Sequence, residues 1–139
     1  MSDPPIVFPD VERLVVDHLK SRPELAGVIV DNRTPPGFDG TQKAVLVSRA
    51  GGAWVDDQHL DQPLIDLEVY GPDKPTAHTV ATAARTALLT VRGTTYGGAR
   101  VTDVVEADGP RWLPDYNRQA ASRYLSTTRL SIRPALPSP

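Results

Sequence analysis

A chain of 139 residues has the size of one domain and is long enough to bury a core of its own. It contains no cysteine, which excludes disulfides, thiolate metal sites and a cysteine nucleophile. Its net charge of −2 argues against non-specific DNA binding over the whole surface, although a local basic patch is compatible with it. The first residues, MSDPPIVFPD, lack the features of a signal peptide, and no stretch approaches the ~20 apolar residues of a membrane span, so we expect no membrane partner.

The first half of the chain predicts one helix and three strands. Asp10 is a good N-cap, and the apolar residues that follow it at helical spacing predict a helix over about 10–21. Short apolar runs predict strands at 28–30, 44–48 and 64–70. The segments between the strands, 32–43 and 50–63, are predicted to be long loops.

The second half predicts a helix and two more strands. Alanine-rich residues at helical spacing predict the helix over about 75–91, and the small side chains imply that it packs closely on the sheet. Strands are predicted at 100–107 and 123–133, joined by a long loop at 108–121. The order predicts a single α+β domain over 1–139: a mainly antiparallel sheet of about five strands with both helices on one face, and Pro-rich arms at about 1–9 and 134–139.

The stretch IDLEVYGPDKPTAH, residues 65–78, has the composition of an active site. Strand alternation gives its polar residues a simpler explanation, because it turns Asp66, Glu68 and Tyr70 away from the core that receives Ile65, Leu67 and Val69. Nothing in the sequence marks the two carboxylates as an acid and base pair. We interpret these residues as a solvated sheet face and His78 as a surface helix residue.

The run DDQHLD is the best candidate for a metal site. Its possible ligands are Asp56, Asp57, His59 and Asp61, but their spacing matches neither an EF-hand nor a zinc motif. Short acidic clusters of this kind are usually solvated, so we expect no metal and no cofactor. A metal-dependent enzyme that uses Asp56, His59 and Asp61 is kept as an alternative. The sequence has no GxSxG nucleophile motif.

Trp54 and Trp112 both fall in predicted loops. Each either closes one end of the sheet or anchors an interface, since Trp and Arg concentrate binding energy where proteins meet. Four arginines flank the same loops and favour contact with a partner: Arg49, Arg111, Arg118 and Arg123.

Three segments together carry a resemblance to a known family. They are PIVFPDVERLVVDHL near the start, the loop GPRWLPD, and the closing strand RYLSTTRLSIR, with the alanine-rich helix between the first two. In this order they resemble the tail terminator proteins, also called tail completion or minor tail proteins, of long-tailed phages that infect actinobacteria. The resemblance covers residues from about 5 to 134.

This resemblance implies a structural role without catalysis. Such proteins form a ring, commonly of six copies, on the completed tail tube, where they stop tube polymerisation and offer a surface to the head–neck connector proteins. The implied location is the tail–neck junction of the virion, and the host cytoplasm during assembly. Another neck component, such as a head–tail connector, is an alternative of the same kind.

DNA would pass through the lumen of such a ring without specific binding. An acidic lumen repels phosphate, so we expect Asp56, Asp57 and Asp61 to face it. The rival hypothesis is that this loop docks on the tail tube protein.

Overall fold

Both helices begin after an aspartate N-cap, and Asp10 is the one that the sequence predicts. The computed structural model describes residues 7–55 and 59–135. The side chain of Asp10 accepts hydrogen bonds from two backbone amides at the start of α1 (Val11–Lys20). Asp73 caps α2 (Lys74–Leu89) by accepting from the amide of Thr76 at 2.8 Å, and proline occupies the first turn. The two predicted helices are confirmed to within two residues at each end.

The described residues form one six-stranded sheet rather than a sheet of about five strands. The strands are β1 (Ile29–Asp31), β2 (Ala44–Val55), β3 (Leu60–Gly71), β4 (Thr95–Tyr96), β5 (Ala99–Trp112) and β6 (Ser122–Arg133). Their order is β1-β2-β3-β6-β5-β4, and every pair is antiparallel except β1 with β2. The additional strand, β4, arises because the turn after α2 forms a short hairpin with β5.

Strand extends into two of the three predicted long loops. Strands β2 and β3 continue beyond their predicted limits and pair as far as Val55 with Leu60, so 50–55 and 60–63 are strand. Strand β5 likewise continues to Trp112, which pairs with Tyr124 of β6. The placement of Trp54 and Trp112 in loops is therefore wrong, because both lie on strands.

The core lies between the sheet and the two helices. Ile65, Leu67 and Val69 face this core and are at most 2% exposed, which confirms their predicted side of β3. Alanines line the face of α2 that packs there. Tyr70 lies on the other face as predicted but is only 1% exposed, because Phe38 of the loop 32–43 packs edge-on against its ring at 5.2 Å.

The sheet curls about the helices, since α1 contacts the strands at both edges. Arg13 pairs with Asp31 of β1 at 3.6 Å, and Tyr96 of β4 donates to Asp17 at 2.7 Å. Val7 and Ala135 form an antiparallel bridge, while 1–6 and 136–139 of the predicted arms lie outside the described residues. Neither helix has the length and apolar content needed to cross a bilayer.

Candidate interaction surfaces

The predicted interface residues form two groups at different ends of the long strands. Trp54 and Arg49 lie on β2, in the part of the molecule that we call the arm end (49–55 and 59–63). Arg111, Trp112, Arg118 and Arg123 lie where β6 begins, which we call the far end (111–123). Eight residues of β6 separate the two ends, about 26 Å at the rise of a strand. They are therefore two surfaces and not one.

Asp61 is buried at the arm end and is held by Arg49. Both carboxylate oxygens accept hydrogen bonds from the guanidinium at 2.9 Å, and the residue is 2% exposed. Arg49 also donates from Nε to the carbonyl of Gly51, and from its backbone amide to the carboxylate of Glu12. The prediction that Asp61 presents its charge to a lumen is wrong, because the pairing buries that charge within the chain.

A glycine bulge sets the direction of β2 where the arm end begins. The register of β2 against β3 shifts between Arg49 and Gly52. Gly51 and Gly52 have φ angles of +112° and +92°, which residues with a side chain rarely adopt. A Cβ atom on Gly52 would also overlap the carbonyl oxygen of Gln62. The bulge and the pairing of Arg49 with Asp61 together fix the orientation of the arm end.

Three exposed apolar side chains lie at or beside the arm end, and we call them the arm patch: Trp54 and Val55 of β2, and Val7, which precedes Phe8. Trp54 is 54% exposed, and its other side stacks on Phe8 with ring centroids 5.6 Å apart. Phe8 in turn packs against the core. A half-exposed tryptophan with rigid support is typical of an interface anchor.

The candidate metal cluster is not assembled by the described residues. Asp56 and Asp57 lie outside them, His59 is exposed, and Asp61 is bound by Arg49. Across 7–55 and 59–135, no three His, Asp or Glu side chains group as ligands for an ion. The enzyme alternative therefore has one of its three residues committed elsewhere.

A polar network lies beneath the far end, around the buried Tyr70. Its hydroxyl is 2.9 Å from a carboxylate oxygen of Asp115 and 3.1 Å from one of Glu68, and it donates its single proton to one of them. Arg118 binds Asp115 at 3.0 Å, and Arg123 contacts Glu68 at 3.5 Å. Burial raises the pKa of Tyr70 to about 12, and the hydrogen bond to Asp115 adds to that rise.

The segment after β5 is fastened to the sheet through this network. Burial by itself raises the pKa of Asp115, but hydrogen bonds from the Asn117 amide and from Arg118 outweigh it and hold the pKa below its usual value. Arg123 donates from Nε to the carbonyl of Leu113 at 3.0 Å. Arg118 and Arg123, which we predicted to be interface residues, thus organise the far end from within.

Above this network lies a second apolar surface, the far patch: Trp112, Leu113 and Tyr116. These residues are 46%, 41% and 86% exposed. The ammonium group of Lys74 lies 4.3 Å above the ring of Trp112, and Arg111 is exposed beside it. We did not predict Leu113 and Tyr116. The run WLPDY could have identified them, because it brings three large side chains together within five residues.

The carboxylates of the stretch 65–78 have structural partners. Thr127 donates to Asp66 at 2.6 Å, and Glu68 belongs to the network under the far end. His78 is exposed, as predicted, and its ring meets Tyr124 edge-on at 5.5 Å. These contacts account for the polar residues without a reaction.

No family model and no curated protein matches this chain. Solved structures do match it. One is a chain from the virion of a native gene transfer agent particle, with a TM-score of 0.63 and 17% sequence identity. The match covers 88% of this chain and 94% of that chain. At this identity, the likeness shows that the two chains share a fold.

Proposed function

We propose that this chain is a structural virion protein that caps the tail tube as a ring. In that role it ends tube polymerisation and provides the surface to which the head–neck proteins join. The observation that supports this most is the shared fold with a virion chain, because the match extends over 88% of this chain and nearly all of the other. The resemblance of its sequence segments to tail terminators supports the same role independently.

The positions of the two apolar patches suit a ring. In a closed ring, each copy meets its two neighbours through two different surfaces. The arm patch and the far patch are different surfaces and are about 26 Å apart along the strands. We propose that the arm of one copy packs against the next copy through Trp54, and that the far patch contacts a neighbouring copy or the tail tube protein. Six copies is the number that the resemblance implies.

Contact through side chains is favoured over pairing of strand edges. Among the described strands, β5 has a free edge beyond the two-residue β4, and the strand itself is irregular, since its register against β6 shifts at Val101/Asp103, Glu106/Asp108 and Asp108/Arg111. Such bulges hinder the addition of another strand.

The hypothesis of an acidic lumen rests on Asp56 and Asp57. Changing both to lysine should slow DNA passage and leave assembly intact.

The deciding experiment is electron microscopy of particles made without this protein. Overlong tails that lack heads are expected, because nothing would stop the tube or join it to the neck. Tails of normal length that lack heads would instead favour a head–tail connector. In a second experiment, the purified protein is mixed with tail tubes or with portal complexes. A tail terminator is expected to bind the tubes.

The same protein preparation tests the enzyme alternative. Calorimetric titration with divalent cations should give no stoichiometric binding, since Asp61 is committed to Arg49. Tight binding that is lost in His59→Ala would contradict the structural role.

A further inference from the structure

An open cleft lies where β5 begins and β6 ends. Its volume is about 590 Å³, and its lining consists of Arg92, Gly93, Arg100, Val101, Thr102 and Arg133. Half of these residues are arginines, and all three arginines are exposed. They come from three elements: the turn after α2, the start of β5 and the end of β6.

Two of these arginines lie side by side on neighbouring strands. Arg100 and Arg133 are direct cross-strand partners, so their side chains leave the sheet on the same face. Arg92 reaches the cleft from the turn after α2 and keeps 66% of its side chain exposed while it contacts Asp103 at 3.4 Å. An anion beside these guanidiniums would accept charge-assisted hydrogen bonds from them.

The lining distinguishes a nucleic acid from a protein partner. Protein interfaces are built around exposed aromatic and aliphatic side chains, as in the arm patch and the far patch. Val101 is the one aliphatic residue in the described lining of the cleft, and it is 0% exposed. Recognition here would be almost purely ionic, which is typical of contacts to a phosphate backbone.

We propose that the cleft binds phosphate groups of the DNA backbone without reading sequence. Arg129 extends the same track, since it precedes Arg133 by four residues on one face of β6, about 13 Å along the strand. The chain as a whole has a net charge of −2, so its contact with DNA is confined to this cleft and is weak and salt-dependent. This inference goes beyond the proposed function, because a single copy carries the whole cleft and needs no ring.

The test is a titration of a short labelled DNA duplex of arbitrary sequence with the full-length protein, followed by fluorescence anisotropy. Affinity should fall as NaCl rises from about 50 to about 200 mM. The double variant Arg92→Gln/Arg100→Gln should bind about tenfold or more weakly at the lowest salt and lower the slope of log K against log salt by about 2. Arg100→Lys should retain most of that slope, because it keeps the charge.

The matched control removes two arginines outside the cleft. Arg22→Gln/Arg111→Gln has the same net charge as the test variant, and both residues form ion pairs elsewhere, with Glu24 at 2.8 Å and with Asp108 at 3.3 Å. Its affinity should equal that of the wild type. An equal loss in this control, or no salt-dependent binding by the wild type, would overturn the proposal. So would displacement of the duplex by poly-glutamate at equal charge, which would indicate an acidic protein partner.

Discussion

The two ends of the sheet use the same chemistry in different ways. At the arm end, one guanidinium and one carboxylate bind each other, and Asp61 has no other charged partner among the described contacts. At the far end, Glu68 and Asp115 share two arginines and the hydroxyl of Tyr70. The arm end therefore depends on a single pair, in which the carboxylate is buried and the guanidinium is partly exposed, while the far end distributes the same interaction over several groups. Loss of one group should consequently cost more at the arm.

The largest effect is expected from Arg49→Met, which leaves the carboxylate of Asp61 buried without its partner. We expect the free energy of unfolding to fall by about 3 kcal/mol, at the low end of the range for broken buried pairs, because 34% of the Arg49 side chain is exposed. Urea denaturation measures this. Adding Asp61→Leu should recover part of the loss, because the double variant no longer buries a charge.

The control for this comparison is Arg111→Met. Its ion pair with Asp108 is solvent-exposed, with 63% and 52% of the two side chains accessible. The free energy of unfolding should change by less than about 0.5 kcal/mol. If Arg49→Met lowers the free energy of unfolding as little as Arg111→Met, the arm end does not depend on the Arg49–Asp61 pair. The contrast between the two ends then fails.

A second effect, somewhat smaller, comes from the bulge. Gly52→Ala should lower the free energy of unfolding by about 2 kcal/mol, because its φ is +92° and its Cβ meets the backbone of Gln62. Gly51→Ala is the matched variant. It has φ of +112° but open space around a Cβ, so backbone strain alone should cost it about 1 kcal/mol. Equal losses of free energy for the two variants in urea denaturation would mean that the backbone of Gln62 moves away from the new Cβ atom without cost.

What the sequence predicts well is local. The N-cap Asp10 and the alternation of Ile65, Leu67 and Val69 are each set by residues a few positions apart, so short-range patterns identify them. The helical stripe of α2 is local in the same sense. These features were enough to predict the α+β class and the side of the sheet that receives the helices.

What the sequence does not predict depends on pairing between distant segments. Residues 49–55 show no alternation, and they form strand only because 60–65 lies opposite them. Arg49 and Asp61 meet because the hairpin brings them together, whereas in sequence Asp61 belongs to an acidic run that suggested a lumen or a metal. The basic cleft has the same origin, since Arg92, Arg100 and Arg133 are separated in the chain.

The third prediction concerns the far end. Several groups share the interaction there, so loss of one should lower the free energy of unfolding only slightly. Tyr70→Phe removes a buried hydroxyl with two acceptors, and we expect a loss of about 1 kcal/mol in the free energy of unfolding. The effect should depend on pH. The pKa of Tyr70 is about 12 in the folded chain and about 10 when unfolded, so its stabilising contribution is complete below pH 10 and is lost between pH 10 and 12.

Comparison of the wild type with Tyr70→Phe across that pH range isolates this group from the other tyrosines and the lysines. The stability difference between the two proteins should narrow as the pH rises from about 10 to about 12. A constant difference would show that the hydroxyl titrates normally and that the network does not bury it.

The smallest effect on stability, and the one most informative about function, is expected at the two tryptophans. Trp54→Ser and Trp112→Ser remove side chains that are about half exposed, at 54% and 46%, so each should cost the monomer roughly 1 kcal/mol or less. If the patches are interfaces, both variants should fold and yet fail to form particles of normal tail length. Leu89→Ser is the control, because this α2 residue is 47% exposed and lies outside both patches. Normal tails in both tryptophan variants would mean that these residues only close the ends of the sheet. A defect in one variant alone would assign assembly to that end.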